Sequence, residues 1–230
     1  MQNSLVLHNV SKAFRQGDET YTVLDGISYE FKQGTSYAIT GISGSGKSTL
    51  LSLLAGIDKP TRGRALLKSG ETSKDLHACA TRQPRIFFHQ TVGIVFQSPC
   101  LIHELSVIEN VFIKGLIADE PPAICRERAY ALLESVNLAH KADAPCATLS
   151  IGEQQRVSLV RALFCTPAFL LADEPTAHLD VANRDLMIKL IRDYQTRLSM
   201  GVVIVCHDSF VAESTDMQTE LIRGQLVRAG

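Results

Sequence analysis

The chain has 230 residues, of which 20% are charged and 45% hydrophobic, with a formal net charge of −1. That balance predicts a soluble globular protein with one large core or two small ones, and gives no general attraction to nucleic acid or acidic membrane. No apolar run approaches the roughly 18–20 residues that cross a bilayer, and the opening MQNSLVLHNV lacks the basic start and cleavage site of a secretory signal.

Short apolar runs alternate with helical patterns along the chain, which predicts an α/β fold with a largely parallel sheet. Residues 5–9 and 27–31 read as early strands, added antiparallel at one edge. Residues 37–40 form a short strand that runs into the glycine-rich segment GISGSGKST at 41–49, with a helix starting near Lys47. Residues 93–96, 169–172 and 202–206 are β-branched or apolar runs, each followed or closed by a polar group: Gln97, Asp173 and His207. In an open α/β sheet, ligands gather at the carboxyl ends of such strands.

Between 98 and 166 the pattern turns helical. Ser106 with Glu109 makes a capping box ahead of residues 107–117. Pro121 and Pro122 mark the start of a helix over 123–137, with Ile124, Leu132, Leu133 and Val136 at helical spacing. This region is either an ordinary helical insertion or a subdomain of its own. A second capping box, Ser150 with Glu153, precedes an apolar stripe of Val157, Val160 and Phe164. Arg223-Gly224 reads as a hairpin turn between two short runs.

Three of these segments carry chemistry. Gly41, Gly46, Lys47 and Ser48 satisfy GxxxxGK[ST], between a strand and a helix as the mechanism requires. Around Ser43, Gly44, Ser45 and Thr49 the backbone N–H groups curl about phosphates, aided by the helix dipole. Lys47 is placed to reach the β- and γ-phosphates, and the Ser48 hydroxyl to ligate Mg²⁺. Asp173 and Glu174 close an apolar strand. They suit a carboxylate holding Mg²⁺ through water and a base for the attacking water, although a lone Asp-Glu after a strand is more often a helix start. Ser150 and the Gly152 backbone, at a capped helix start, form a ready anion site.

In this order and spacing, GISGSGKST, LSIGEQQRV at 149–157 and LLADEPT at 170–176 resemble the ATP-binding subunits of ABC transporters. The resemblance runs over nearly the whole chain. It implies a RecA-like P-loop core with an antiparallel β edge, made of residues 1–97 and 167–230, and a helical subdomain of residues 98–166 that meets a membrane partner. It implies that the 149–157 cap, with Ser150, Gly152 and Glu153, serves the ATP of a second copy, and that Asp180 belongs to the adjoining D-loop. Gln97 becomes the Q-loop glutamine, touching Mg²⁺ or water, and His207 the switch histidine. Phe14 takes the adenine-stacking position, with Tyr21 as the competing ring. The family's signature is LSGGQ, so Ile151 replaces a glycine and Glu153 a glutamine. Glu153 suits the cap as glutamine does; Ile151 narrows the approach to phosphate.

Residues 15–23, 56–58, 60–63, 109–111 and 172–175 resemble the lipoprotein-release and macrolide-export branch. The implied protein is an ATPase using ATP and Mg²⁺. It would work as a homodimer with integral membrane permease subunits, peripheral on the cytoplasmic face of the inner membrane, and without nucleic acid. The six cysteines, at 79, 100, 125, 146, 165 and 206, contain no CxxC pair and fit reduced cytosolic thiols. Rival readings are a cell-division type regulator, a soluble ATPase of nucleic acid or ribosomes, and a binding-only regulator that has lost catalysis. The coiled-coil insertions, second domain or basic arms of soluble ABC ATPases are not seen in this sequence.

Overall fold

The computed structural model describes residues 2–77 and 91–228. Two sheets organise them. The first is antiparallel, in the order β2 (Glu19–Lys32), β1 (Asn3–Gln16), β4 (Arg62–Ser69), β5 (Thr72–Asp75). The second runs β10 (Gln225–Arg228), β9 (Met217–Ile222), β3 (Ser36–Thr40), β8 (Gly201–Val205), β7 (Phe169–Asp173), β6 (Val92–Val95). Every pairing from β9 to β6 is parallel, and β10 folds back antiparallel on β9.

Side chains alternate across a strand, so a sheet covered on both faces reads as continuous hydrophobic sequence. In β8, Val203 and Val205 face one core while Val202 and Ile204 face the other. The first core lies between the two sheets. There α1 (Lys47–Leu54) buries Leu50, Leu51, Leu53 and Leu54 against Leu5, Leu24 and Phe31 of the antiparallel sheet. The second core joins the parallel sheet to α2 (Val107–Ile117), α3 (Pro122–Ser135), α4 (Ile151–Leu163) and α5 (Val181–Leu198). A short α6 (Ser209–Glu213) follows β8.

Both predicted capping boxes form. The Ser106 and Ser150 side chains accept from the N–H of Glu109 and Glu153, whose carboxylates accept in return. The 223–224 hairpin also forms, with φ of 46° at Arg223 and 78° at Gly224.

Elsewhere the boundaries differ from expectation. The early strands are fourteen residues each rather than five. The segment at 15–23 lies in the far end of their hairpin, where Phe14 is paired with Tyr21. Of the predicted stripe over 123–137, Leu133 and Val136 are buried and Leu132 packs against the core, whereas Ile124 is exposed and Cys125 and Ala129 take the inner face of α3 at its start. Cys79 lies outside the described residues, and the other five cysteines are free thiols.

Candidate nucleotide-binding site

A groove of about 610 Å³ opens over the carboxyl ends of the parallel strands, where α1 begins. Its lining brings together Phe14, Tyr21, Ser43, Gly44, Gly46, Lys47, Ser48, Thr49, Gln97, Glu174 and His207. Each strand places a polar group at this edge because its apolar stretch ends there: β3 leads into the glycine loop, β6 into Gln97, β7 into Asp173-Glu174 and β8 into His207.

The loop geometry requires its glycines. Gly46 has φ 101° and is the N-cap of α1, and an added Cβ would stand 2.5 Å from Val23 Cγ1. Gly41, φ 143°, has room for no Cβ either, since Leu221 O would be 2.7 Å away. Inside the loop, Lys47 Nζ donates to Gly41 O at 2.8 Å and Ile42 O at 3.1 Å. A buried ammonium encircled by a glycine loop at a helix start is a receptor for an anion.

Asp173 and Glu174 differ in setting although they are neighbours. Burial raises the Asp173 pKa, opposed by a hydrogen bond with Ser48 and by the Lys47 charge. Glu174 adopts φ 44°, unusual for a non-glycine residue, and its N–H donates to Val205 O at 2.8 Å. Its Oε2 lies 3.1 Å from His207 Nδ1. Backbone strain of this kind persists only where the surroundings hold it, and it concentrates at functional sites. Cys206, beside His207, stays a thiol: burial first, then the Asp208 and Glu174 charges, push it up to about 12.

The residues suit a magnesium ion bound with a phosphate. Among the described residues no cluster of three or more His, Cys, Asp and Glu side chains could cage a metal alone. Mg²⁺ is ordinarily held by one or two carboxylates together with substrate phosphates, and the adjoining Ser48 hydroxyl and Asp173 carboxylate offer that partial set.

Of the predicted residues, Gly41, Ser45 and Asp173 belong to the loop and strand end beside the groove without lining it, and four others do not line it either: Ser150, Gly152, Glu153 and Asp180. These four form a second constellation of their own. Ser150 caps α4, and Glu153 accepts from Ser150 N–H at 2.8 Å and from Lys141 Nζ at 2.6 Å. Asp180 caps α5 by accepting from the N–H of Asn183 at 2.9 Å, and Asn183 Oδ1 accepts from Arg156 of α4 at 2.9 Å. A Cβ at Gly152 would meet Asn183 Oδ1 at 2.8 Å. Ile151 is 56% exposed at this cap and, having no positive φ, does not need glycine's backbone freedom.

The family model described as ABC transporter matches residues 24–177. The chain belongs to that family. As a member it is an ATP-binding ATPase subunit of the ABC type. It is 36% identical to the lipoprotein-releasing system ATP-binding protein LolD of Saccharophagus degradans, over 96% of each chain. It is 37% identical to LolD of Shewanella oneidensis, covering 98% of this chain and 97% of that one. Among solved structures, a dimeric ATP-binding cassette in a post-hydrolysis state, bound to ADP and Pi, superposes with a TM-score of 0.86. It is 31% identical over 97% of both chains.

Sequence reasoning missed Asn183, Gln155 and Arg161 in this ABC ATPase. Each joins a motif to another element through a side chain: Asn183 joins α5 to the signature helix, and Gln155 and Arg161 join that helix to the loop after β6. Polar residues inside a helix give no local signal of such distant partners. No helix among the described residues is long and apolar enough to cross a membrane.

Proposed function

We propose that this chain is the ATP-hydrolysing subunit of a lipoprotein-release type ABC system. It would work as a homodimer, peripheral on the cytoplasmic face of the inner membrane, through residues 98–166 as the helical subdomain that meets the permease. The observation that carries the chemistry is the meeting of Lys47, Ser48, Gln97, Glu174 and His207 in one groove, with Asp173 bonded to Ser48 behind them. The likeness to LolD proteins along nearly the full chain supports the choice of system.

In this reading the adenine stacks on Phe14, which shares the groove wall with Tyr21, the two rings lying 5.9 Å apart. The triphosphate lies in the 41–49 loop, with Lys47 turning from the loop carbonyls to the phosphate oxygens. Ser48, Asp173 and Gln97 would hold Mg²⁺, which supplies charge neutralisation for the leaving phosphate. Glu174 takes the proton from, or orients, the attacking water, and His207 contacts the γ-phosphate. The bond from the γ-phosphorus to the bridging oxygen breaks as that to water forms, leaving ADP and phosphate.

The constellation of Ser150, Gly152, Glu153 and Asp180 then closes the ATP of the partner subunit, since it lies outside this chain's own groove. Moving an open-to-closed equilibrium from 1:99 to 99:1 takes about 5.5 kcal/mol, so each of two sandwiched nucleotides supplies about half. Charge-assisted phosphate contacts reach that magnitude.

The test is to isolate the chain with the membrane protein that accompanies it, in vesicles, and to follow ATP turnover as a lipid-modified protein is added. Stimulated turnover is expected. Turnover that responds only to DNA or ribosomes would sink the reading.

A further inference from the structure

The loop carrying Gln97 is fastened to α4 at four carbonyls by two side chains. Gln155 Nε2 donates to Phe96 O and to Gln97 O, both at 3.2 Å. Arg161 donates from one guanidinium nitrogen to Pro99 O and from the other to Cys100 O, both at 2.7 Å. The two carbonyls held by Gln155 belong to the peptides on either side of the Gln97 Cα. Holding both planes fixes the direction in which the Gln97 side chain leaves the backbone.

Gln155 is 1% exposed, and its own Oε1 is buried without a hydrogen-bond partner among the described residues. A buried unpaired acceptor is costly, and an apolar side chain of similar size would avoid that cost. Packing alone therefore does not account for an amide here. The residue stands five positions after the Ser150 cap on the same helix, about 7.5 Å along its axis. One rigid element thus carries the cap that lies outside the groove and the grip on a residue that lines it.

We propose that Gln155 is a positioning residue, tying Gln97 to the signature helix so that the two half-sites of one chain move together. This rests on the functional reading above, in which Gln97 serves this chain's ATP and the Ser150 cap serves the partner's. When the partner's nucleotide draws the cap inward, Gln155 carries Gln97 with it. Hydrolysis in one groove is thereby made conditional on closure at the other.

The experiment is a double-mutant cycle on turnover at saturating ATP, using the full chain and Gln155→Met with and without Gln97→Ala. Gln155→Met should lower turnover about tenfold when Gln97 is present, as expected for a displaced catalytic neighbour. It should cause no further loss in the Gln97→Ala background, because residues acting as a unit are not additive. A loss of equal size in both backgrounds, or no loss in either, would overturn the proposal. If Gln155→Met does not fold, Gln155→Asn, which withdraws the amide by one methylene, must give the same background-dependent loss. Glu174→Gln, run alongside, separates the two layers. Undiminished turnover there would defeat the functional reading itself, whereas its loss together with an additive cycle would defeat only the role of Gln155.

Discussion

Lys47 and Glu153 illustrate two kinds of charge in this molecule. Lys47 is buried and satisfied by its own loop, so its removal acts on the ligand more than on the fold. Replacing it by alanine should weaken ATP binding about 10–100-fold, the worth of about 1.5–3 kcal/mol of charge-assisted contact, in an equilibrium titration with a fluorescent ATP analogue. Glu153 has its pKa lowered, first by the hydrogen bond from Lys141 and then by the Ser150 cap, with burial opposing. The folded state therefore binds fewer protons than the unfolded state in the window below 4.5, and stability there rises with pH. The melting temperature of the natural chain should exceed that of Glu153→Gln at pH 7, and the gap should shrink as pH falls below 4.5. Glu153 thus keeps the reciprocal cap of the family's glutamine and places its charge against Lys141. Ile151 differs: its side chain is exposed, so in the proposed dimer its cost falls on the surface that would close over the cap.

Caps and glycine turns were legible in the sequence because their determinants lie within four residues of one another. Ser106 with Glu109 and Ser150 with Glu153 announce helix starts, and both boxes form. Ser106→Ala should cost about 1 kcal/mol in equilibrium unfolding, the usual worth of such a cap, with the 41–49 loop unaffected in ATP binding. The three polar strand ends were legible too, since each apolar run stops where the sheet meets the groove. What could not be read was continuity through irregularity. β1 changes register between Leu7 and Val10, again before Lys12 and again before Ala13, and Asn9 has φ 49°. The alternation that marks a strand is lost there, so the strand looked five residues long. α5 was missed for a different reason: its buried face, Met187, Ile188, Leu190, Ile191 and Tyr194, is set among eighteen mostly polar residues following a motif that drew the reading elsewhere. Gly93 shows close approach at the same level, since an added Cβ would meet Ala162 O at 2.6 Å. Gly93→Val should push β6 from α4 and lower the melting temperature, with Gln97 displaced and turnover reduced.

At the scale of the whole molecule, the proposed function gives one chain two incomplete halves of a nucleotide site, the groove and the Ser150 cap of α4. The groove with Lys47, Glu174 and His207 lacks the cap, and the Ser150 cap stands apart from that groove. The order of motifs along the sequence suggests this division, whereas the side chains that join α4 to the Gln97 loop, Gln155 and Arg161, emerged only from the fold. In the proposed function a dimer is therefore part of the mechanism rather than an accident of association. The most direct measurement is the solution mass of Glu174→Gln, by light scattering, with and without ATP and Mg²⁺. The account predicts a shift from the 25.2 kDa monomer to twice that mass when ATP is present, and reversal when ADP replaces it. A protein that binds ATP and stays at 25.2 kDa would contradict it.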